Sequence, residues 1–124
     1  MTKIILPSDC GNAPRKQFLA DFNAAFATGN AEFIIEHVTA DIRWTIHGDK
    51  EIQGKEKFSA EVHGMTRHTA DELTVHEIIT HGRTAALNGQ LTFQDKQYAF
   101  CDVYRFRNTK ANEIVEMDSY VVAL

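Results

Sequence analysis

The second half of the chain is four strand-like stretches with almost nothing between them. They cover residues 72–81, 83–94, 97–108 and 112–123, separated by Gly82, by Asp95-Lys96 and by Thr109 to Ala111. Connections this short can join only antiparallel neighbours, since a parallel return needs a crossover of a dozen residues or more. The C-terminal half is therefore expected to be an antiparallel meander. A chain of 124 residues that is 44% hydrophobic and 24% charged can bury a core against such a sheet. We read residues 1–124 as one domain, with 1–12 as an N-terminal extension.

The first half reads as helix. Asn12 followed by Pro14 suits a helix start, and Phe18, Leu19, Phe22, Ala25 and Phe26 form one apolar stripe at helical spacing. Gly29 ends that helix and Asn30 caps a second, with Phe33, Ile34, His37 and Val38 as its stripe. Residues 42–47 alternate as a strand, His47 to Lys50 make a turn, and 51–53 suit a short return. Gly54 to His63 reads as a third helix, burying Phe58 and Val62. Helices first and meander second predict an α+β protein with its helices on one face of a curved sheet.

Strand register predicts what faces the helices. A two-residue Asp95-Lys96 loop pairs Leu91 with Phe100, Gly89 with Asp102, Leu87 with Tyr104 and Ala85 with Phe106, all on one face. That face is aromatic and apolar with a single carboxylate, and the glycine leaves room beside the acid. For the last hairpin, one register sets Asp102 against Asp118. The other sets Asp102 against Ser119, Tyr104 against Met117, Phe100 against Val121 and Arg105 against Glu116. The second avoids a like-charge pair and gains an opposite-charge one, so it is preferred. Burial should raise the pKa of Asp102, which suits a hydrogen-bond donor or general acid.

Other features exclude more than they suggest. Thirteen basic against 17 acidic residues, a net charge of −4, offers no attraction to nucleic acid or anionic membrane. Ile4-Ile5-Leu6 is stopped by Pro7, too short for a signal core or membrane span. A cytoplasmic location is expected. Cys10 and Cys101 are too few for a disulfide framework, and Cys101 alternates away from Asp102. His63 and His68, or His76 and His81, do not converge as metal ligands, so neither metal nor cofactor is expected. His47 and His63 are the nearest candidates for a histidine base.

With these residues in hand, the chain resembles the SnoaL-like branch of the nuclear transport factor 2-like superfamily. Its relatives include ketosteroid isomerases, limonene epoxide hydrolases, scytalone dehydratases and polyketide cyclases. The resemblance runs from about Phe18 to Val122. It rests on Phe22 to Gly29 with Asn30, Asp41 to Trp44 leading to Gly48, Gly54, Cys101-Asp102-Val103-Tyr104-Arg105-Phe106, and Glu113-Ile114-Val115-Glu116. It implies a cone, a strongly bent mixed sheet around three helices with a pocket at one end, paired as a homodimer through the outer sheet face. Asp102 matches the neutral aspartic acid that hydrogen-bonds the oxyanion in ketosteroid isomerases. The matching tyrosine position is Phe22, the base position near Trp44 or Thr45 holds no carboxylate, and the acid of the last strand is replaced by Ser119. These departures disfavour both a ketosteroid isomerase and an epoxide hydrolase.

The expectation is a pocket for a small apolar or aromatic molecule. Asp102 is its catalytic candidate, and Phe22, Phe26, Trp44, Phe100, Tyr104, Met117 and Ser119 are its ligand-binding residues. Isomerase, dehydratase or cyclase-type proton transfer is one reading. A non-catalytic binding protein and a dimerisation or protein-interaction module are the others.

Overall fold

The computed structural model describes residues 1–8 and 13–124. Its elements in chain order are β1 (Lys3–Ile5), α1 (Pro14–Thr28), α2 (Ala31–Glu36), β2 (Val38–Ile46), β3 (Lys50–Gln53), α3 (Lys55–Met65), β4 (Glu72–His81), β5 (Thr84–Phe93), β6 (Lys96–Phe106) and β7 (Ile114–Ala123). One seven-stranded sheet runs β1-β4-β5-β6-β7-β2-β3. The β4–β7 meander is antiparallel, while β1 joins β4 and β2 joins β7 in parallel. Three helices cover the concave face, as an α+β cone requires.

Local chemistry explains the helix ends. Pro14 opens α1 with its fixed φ, and Ala13 precedes it; the Asn12 cap and Cys10 lie outside the described residues. Gly29 closes α1 at φ 85°, a left-handed conformation that disfavours side chains. Asn30 caps α2 by accepting from the Phe33 amide at 3.2 Å. The expected α2 stripe runs too far, because His37 is already the cap and Val38 begins β2. The Ile114 amide donates to the His37 carbonyl at 2.9 Å, and Val38 pairs with Ile114, so the sheet takes the β-branched residue.

The meander needs one correction. The β5–β6 loop is Gln94-Asp95, and Phe93 faces Lys96. Gly89 therefore opposes Phe100, Leu87 opposes Asp102, Ala85 opposes Tyr104 and Leu91 opposes Tyr98. The shift is by two residues, so every side chain keeps its face. Its cause lies outside the hairpin: the Asp71 carboxylate accepts from the Gln94 amide at 2.5 Å and holds Gln94 at φ 56°. The last hairpin has the preferred register, with Asp102 against Ser119, Tyr104 against Met117 and Arg105 against Glu116.

Gly89 has a different role from the one expected. A Cβ there would drive deep into the Thr74 carbonyl oxygen, so the residue permits close backbone approach and does not open space beside the acid. It sits opposite Val75, where β4 skips one residue of register before Glu77. The Asn88 side chain receives the Glu77 amide at 3.0 Å, repairing the ladder at the bulge. Bulge and glycine together sharpen the bend of the sheet around the helices.

Phe18, Leu19, Phe22, Ile34, Phe58 and Val62 from the helices meet Ile42, Leu73, Leu87, Tyr104, Phe106 and Ile114 from the sheet in one core. At the other end of α1, Arg15 stacks 3.9 Å above the Phe106 ring and donates to the carbonyls of Gly82, Asn108 and Ala111. No helix among the described residues is long and apolar enough to cross a membrane.

Candidate functional site

The bent sheet and α1 enclose a cavity of ≈ 160 Å³. Alternation along β6 and β7 brings Phe100, Asp102, Tyr104, Met117, Ser119 and Val121 to it; β2 adds Trp44 and Ile46, and β5 adds Leu91 and Phe93. Residues Asn23, Phe26 and Ala27 of α1, with Leu73 of β4, complete the inner wall. The most exposed lining residues are Met65, His68 and Val121, which mark the mouth. Most of the wall is hydrocarbon or aromatic ring.

The exception is a chain of hydrogen bonds at the buried end. Asn23 Nδ2 donates to the Leu19 carbonyl at 2.9 Å and to Tyr104 Oη at 2.9 Å. Tyr104 in turn donates to Asp102 Oδ2 at 3.2 Å. From the other side, Trp44 Nε1 donates to Ser119 Oγ at 2.9 Å, and Ser119 stands directly opposite Asp102 across the ladder, where its hydroxyl helps to hold the carboxyl pKa down.

The direction of this chain follows from chemistry. An indole nitrogen only donates, so Ser119 accepts from Trp44 and has its own proton left for Asp102. The Leu19 carbonyl only accepts, which fixes the Asn23 amide group with its nitrogen toward Leu19 and Tyr104. Tyr104 then accepts from Asn23 and gives its proton to Asp102. Both arms end on one carboxylate.

Burial pushes the Asp102 pKa up to about 6, against the opposing pull of the Ser119 and Tyr104 hydrogen bonds. The expected rise is present, yet the surroundings are those of an acceptor. The hydroxyls beside it favour the ionised form, while burial favours the neutral one, and burial is the larger effect. Tyr104 is pushed well above the usual phenol range by burial and by the neighbouring Asp102 charge, so it stays protonated.

Of the seven residues expected to touch a ligand, Phe26, Trp44, Phe100, Tyr104, Met117 and Ser119 line the cavity. Phe22 does not. It is wholly buried and packs edge-on against Tyr104, with ring centroids 6.1 Å apart, holding the phenol from behind. His47 stands away from the cavity, stacked on Tyr120 at 4.3 Å and hydrogen-bonded to Asp118 at 2.8 Å. His63 is exposed on α3 and outside the lining, whereas His68 is at the mouth. Asp118 turns outward, so no carboxylate dyad forms. Asn23 was not singled out from sequence, and His68 was weighed there only as a metal ligand. Asn23 had a signal, being a polar residue four after Leu19 and one after Phe22 in an apolar stripe.

Cys101 faces Tyr120 across the ladder, on the face opposite Asp102. Burial and the Asp102 charge push its thiol up, away from nucleophilic character. Among the described residues, no three of His, Cys, Asp and Glu are grouped to hold a metal ion.

Comparison with solved structures places this architecture. An LEH-like epoxide hydrolase of M. tuberculosis superposes with a TM-score of 0.71 at 15% identity, covering 86% of this chain and 80% of that one. A steroid delta-isomerase of Pseudomonas aeruginosa gives 0.68 at 17% identity, covering 89% and 80%. An NTF2-like protein of unknown function from Cytophaga hutchinsonii gives 0.66 at 20% identity, covering 86% and 97%. At these identities the likeness is one of fold. No curated protein matches the sequence. The model of the SnoaL-like domain matches residues 19–116, and with that span the chain belongs to the SnoaL-like family of the nuclear transport factor 2-like fold.

Proposed function

We propose that this protein takes a small, largely apolar molecule into the cavity and that Asp102 receives a proton from it. The reaction class is proton transfer, of isomerase, dehydratase or cyclase type. The observation that carries this reading is the placement of Tyr104 and Ser119 against one half-buried carboxylate in an otherwise apolar cavity. A base is most useful when its pKa lies near the working pH, and a value of about 6 meets that condition. Phe26, Phe100 and Met117 would hold the apolar body, while Trp44 and Asn23 act through Ser119 and Tyr104 as positioning residues. The fold is shared with an LEH-like epoxide hydrolase and a steroid delta-isomerase.

Non-catalytic binding is the second reading. It is favoured by one observation: among the described residues, Asp102 and Tyr104 are the only titratable side chains at the buried end, and Tyr104 is held protonated. Incubating the protein in D₂O with small cyclic alcohols, phenols and hydroxyketones, and with ketones, lactones and epoxides beside them, followed by mass spectrometry, separates the two. Deuterium uptake or a mass change that is lost in Asp102→Asn is the expected result. Ligands that bind and return unchanged would establish the binding-only reading.

A further inference from the structure

The hydrogens at the buried end can be counted. Trp44 has one, and it goes to Ser119. Asn23 Nδ2 has two, which go to Leu19 and Tyr104. Tyr104 has one, which goes to Asp102, and the one on Ser119, which accepts from Trp44 and stands opposite Asp102 in the ladder, is turned to the same carboxylate when it is ionised. None is left for a ligand.

Acceptor positions are not used up in the same way. A carboxylate offers about four lone-pair sites, and the two hydroxyls fill two. Asp102 lines the cavity, so its remaining lone pairs are the acceptor positions a ligand can meet there. Among the described residues no lysine or arginine lines the cavity, and the ring N–H donor not already used, that of His68, is at the mouth.

Resting on the reading of this cavity as a ligand site, we infer that it selects a one-ring molecule whose polar group donates a hydrogen bond, an alcohol or phenol, over the carbonyl compound of the same shape. The donor satisfies Asp102. A carbonyl oxygen at the same place would face lone pairs and lose its hydration without replacement. The size follows from the volume: an engineered apolar cavity of about 150 Å³ in another protein takes up benzene, and this one is ≈ 160 Å³. The preference is opposite to that of a site built to stabilise an oxyanion, which must aim free donors at its substrate.

Calorimetric titration of the wild-type protein at pH 7.5 with benzyl alcohol, benzaldehyde, benzylamine and toluene tests this. Benzyl alcohol is expected to bind about 10-fold or more tightly than benzaldehyde. In Asp102→Asn, which places an amide donor in the cavity, that ratio is expected to fall to near one or invert. Equal or tighter binding of benzaldehyde to the wild type overturns the inference, while toluene binding in the same series keeps the cavity as a ligand site. Binding of benzylamine without benzyl alcohol also overturns it, because charge and not donation would then be recognised. If all four fail, including toluene, the cavity is no ligand site and both readings fall together.

Discussion

At Asp102, two opposing forces act on one carboxyl group. Burial penalises its charge, two hydroxyls stabilise it, and the outcome is a pKa of about 6 where 3.8 is the ordinary value. Because the folded pKa is the higher, the native state binds the extra proton between these values. Stability is therefore lost as pH rises from about 4 to about 6 and stays lower above that. Asp102→Asn removes the charge and keeps the shape. The variant should gain on the wild type as pH rises, by ~1–2 kcal/mol at pH 7.5, after discounting the partial exposure of Asp102. Urea titrations at pH 4 and pH 7.5 measure the difference, and a variant less stable at the higher pH would mean that the hydroxyls outweigh burial. Most of the surrounding residues were legible in the sequence. Phe100, Tyr104, Met117 and Ser119 follow from alternation once the hairpin registers are chosen, and Trp44 from the family resemblance. Direction was not legible, because it depends on Asn23, whose amide is oriented by a carbonyl of its own helix.

Between strands, the features that shape the cone are single residues in the backbone. Gly89 lies where a side chain would meet the Thr74 carbonyl, so Gly89→Ala must flatten the bend or break the pairing of β4 with β5. A cost of about 3 kcal/mol or more is expected. Gln94 is the opposite case, a residue with a side chain held at φ 56°. Gln94→Gly relieves that conformation and should stabilise by roughly 1 kcal/mol. Chemical denaturation midpoints of the two variants, moving in opposite directions from wild type, check both. The same positions explain what local reading of the sequence missed. Asp71 holds the Gln94 turn from 23 residues away, and no pattern within the hairpin reports it. The face assignments survived because a shift of two residues preserves alternation.

Across the whole molecule, helices followed by a meander were enough to predict an α+β protein with its helices on one face of a curved sheet, since short connections leave antiparallel pairing as the one solution; the cone followed from the family resemblance. The parallel pairings were less visible. Lys3 meets Glu72 and Arg43 meets Glu116 across most of the chain, and local periodicity does not encode such partners. The mouth residues Met65 and His68 were missed likewise, as their place depends on how α3 and its following loop rest against the sheet.

Arg15 shows what such long-range dependence means in time. Its three carbonyl acceptors lie 67, 93 and 96 residues along the chain, in two different hairpin connections. Neither set exists until its turn has formed, so the beginning of α1 is secured only after the meander is complete. Contacts made after the rate-limiting barrier govern how fast a protein comes apart and leave its assembly rate alone. Arg15→Lys, which gives up the planar fork and the stacking on Phe106, should therefore steepen escape from the native state. A loss of about 1 kcal/mol corresponds to a roughly fivefold faster unfolding rate with an unchanged refolding rate in stopped-flow denaturant jumps. A slowed refolding limb would place this clasp among the first contacts made. On the expected result, the chain assembles from its C-terminal half backward, and its first helix is the last part to be locked.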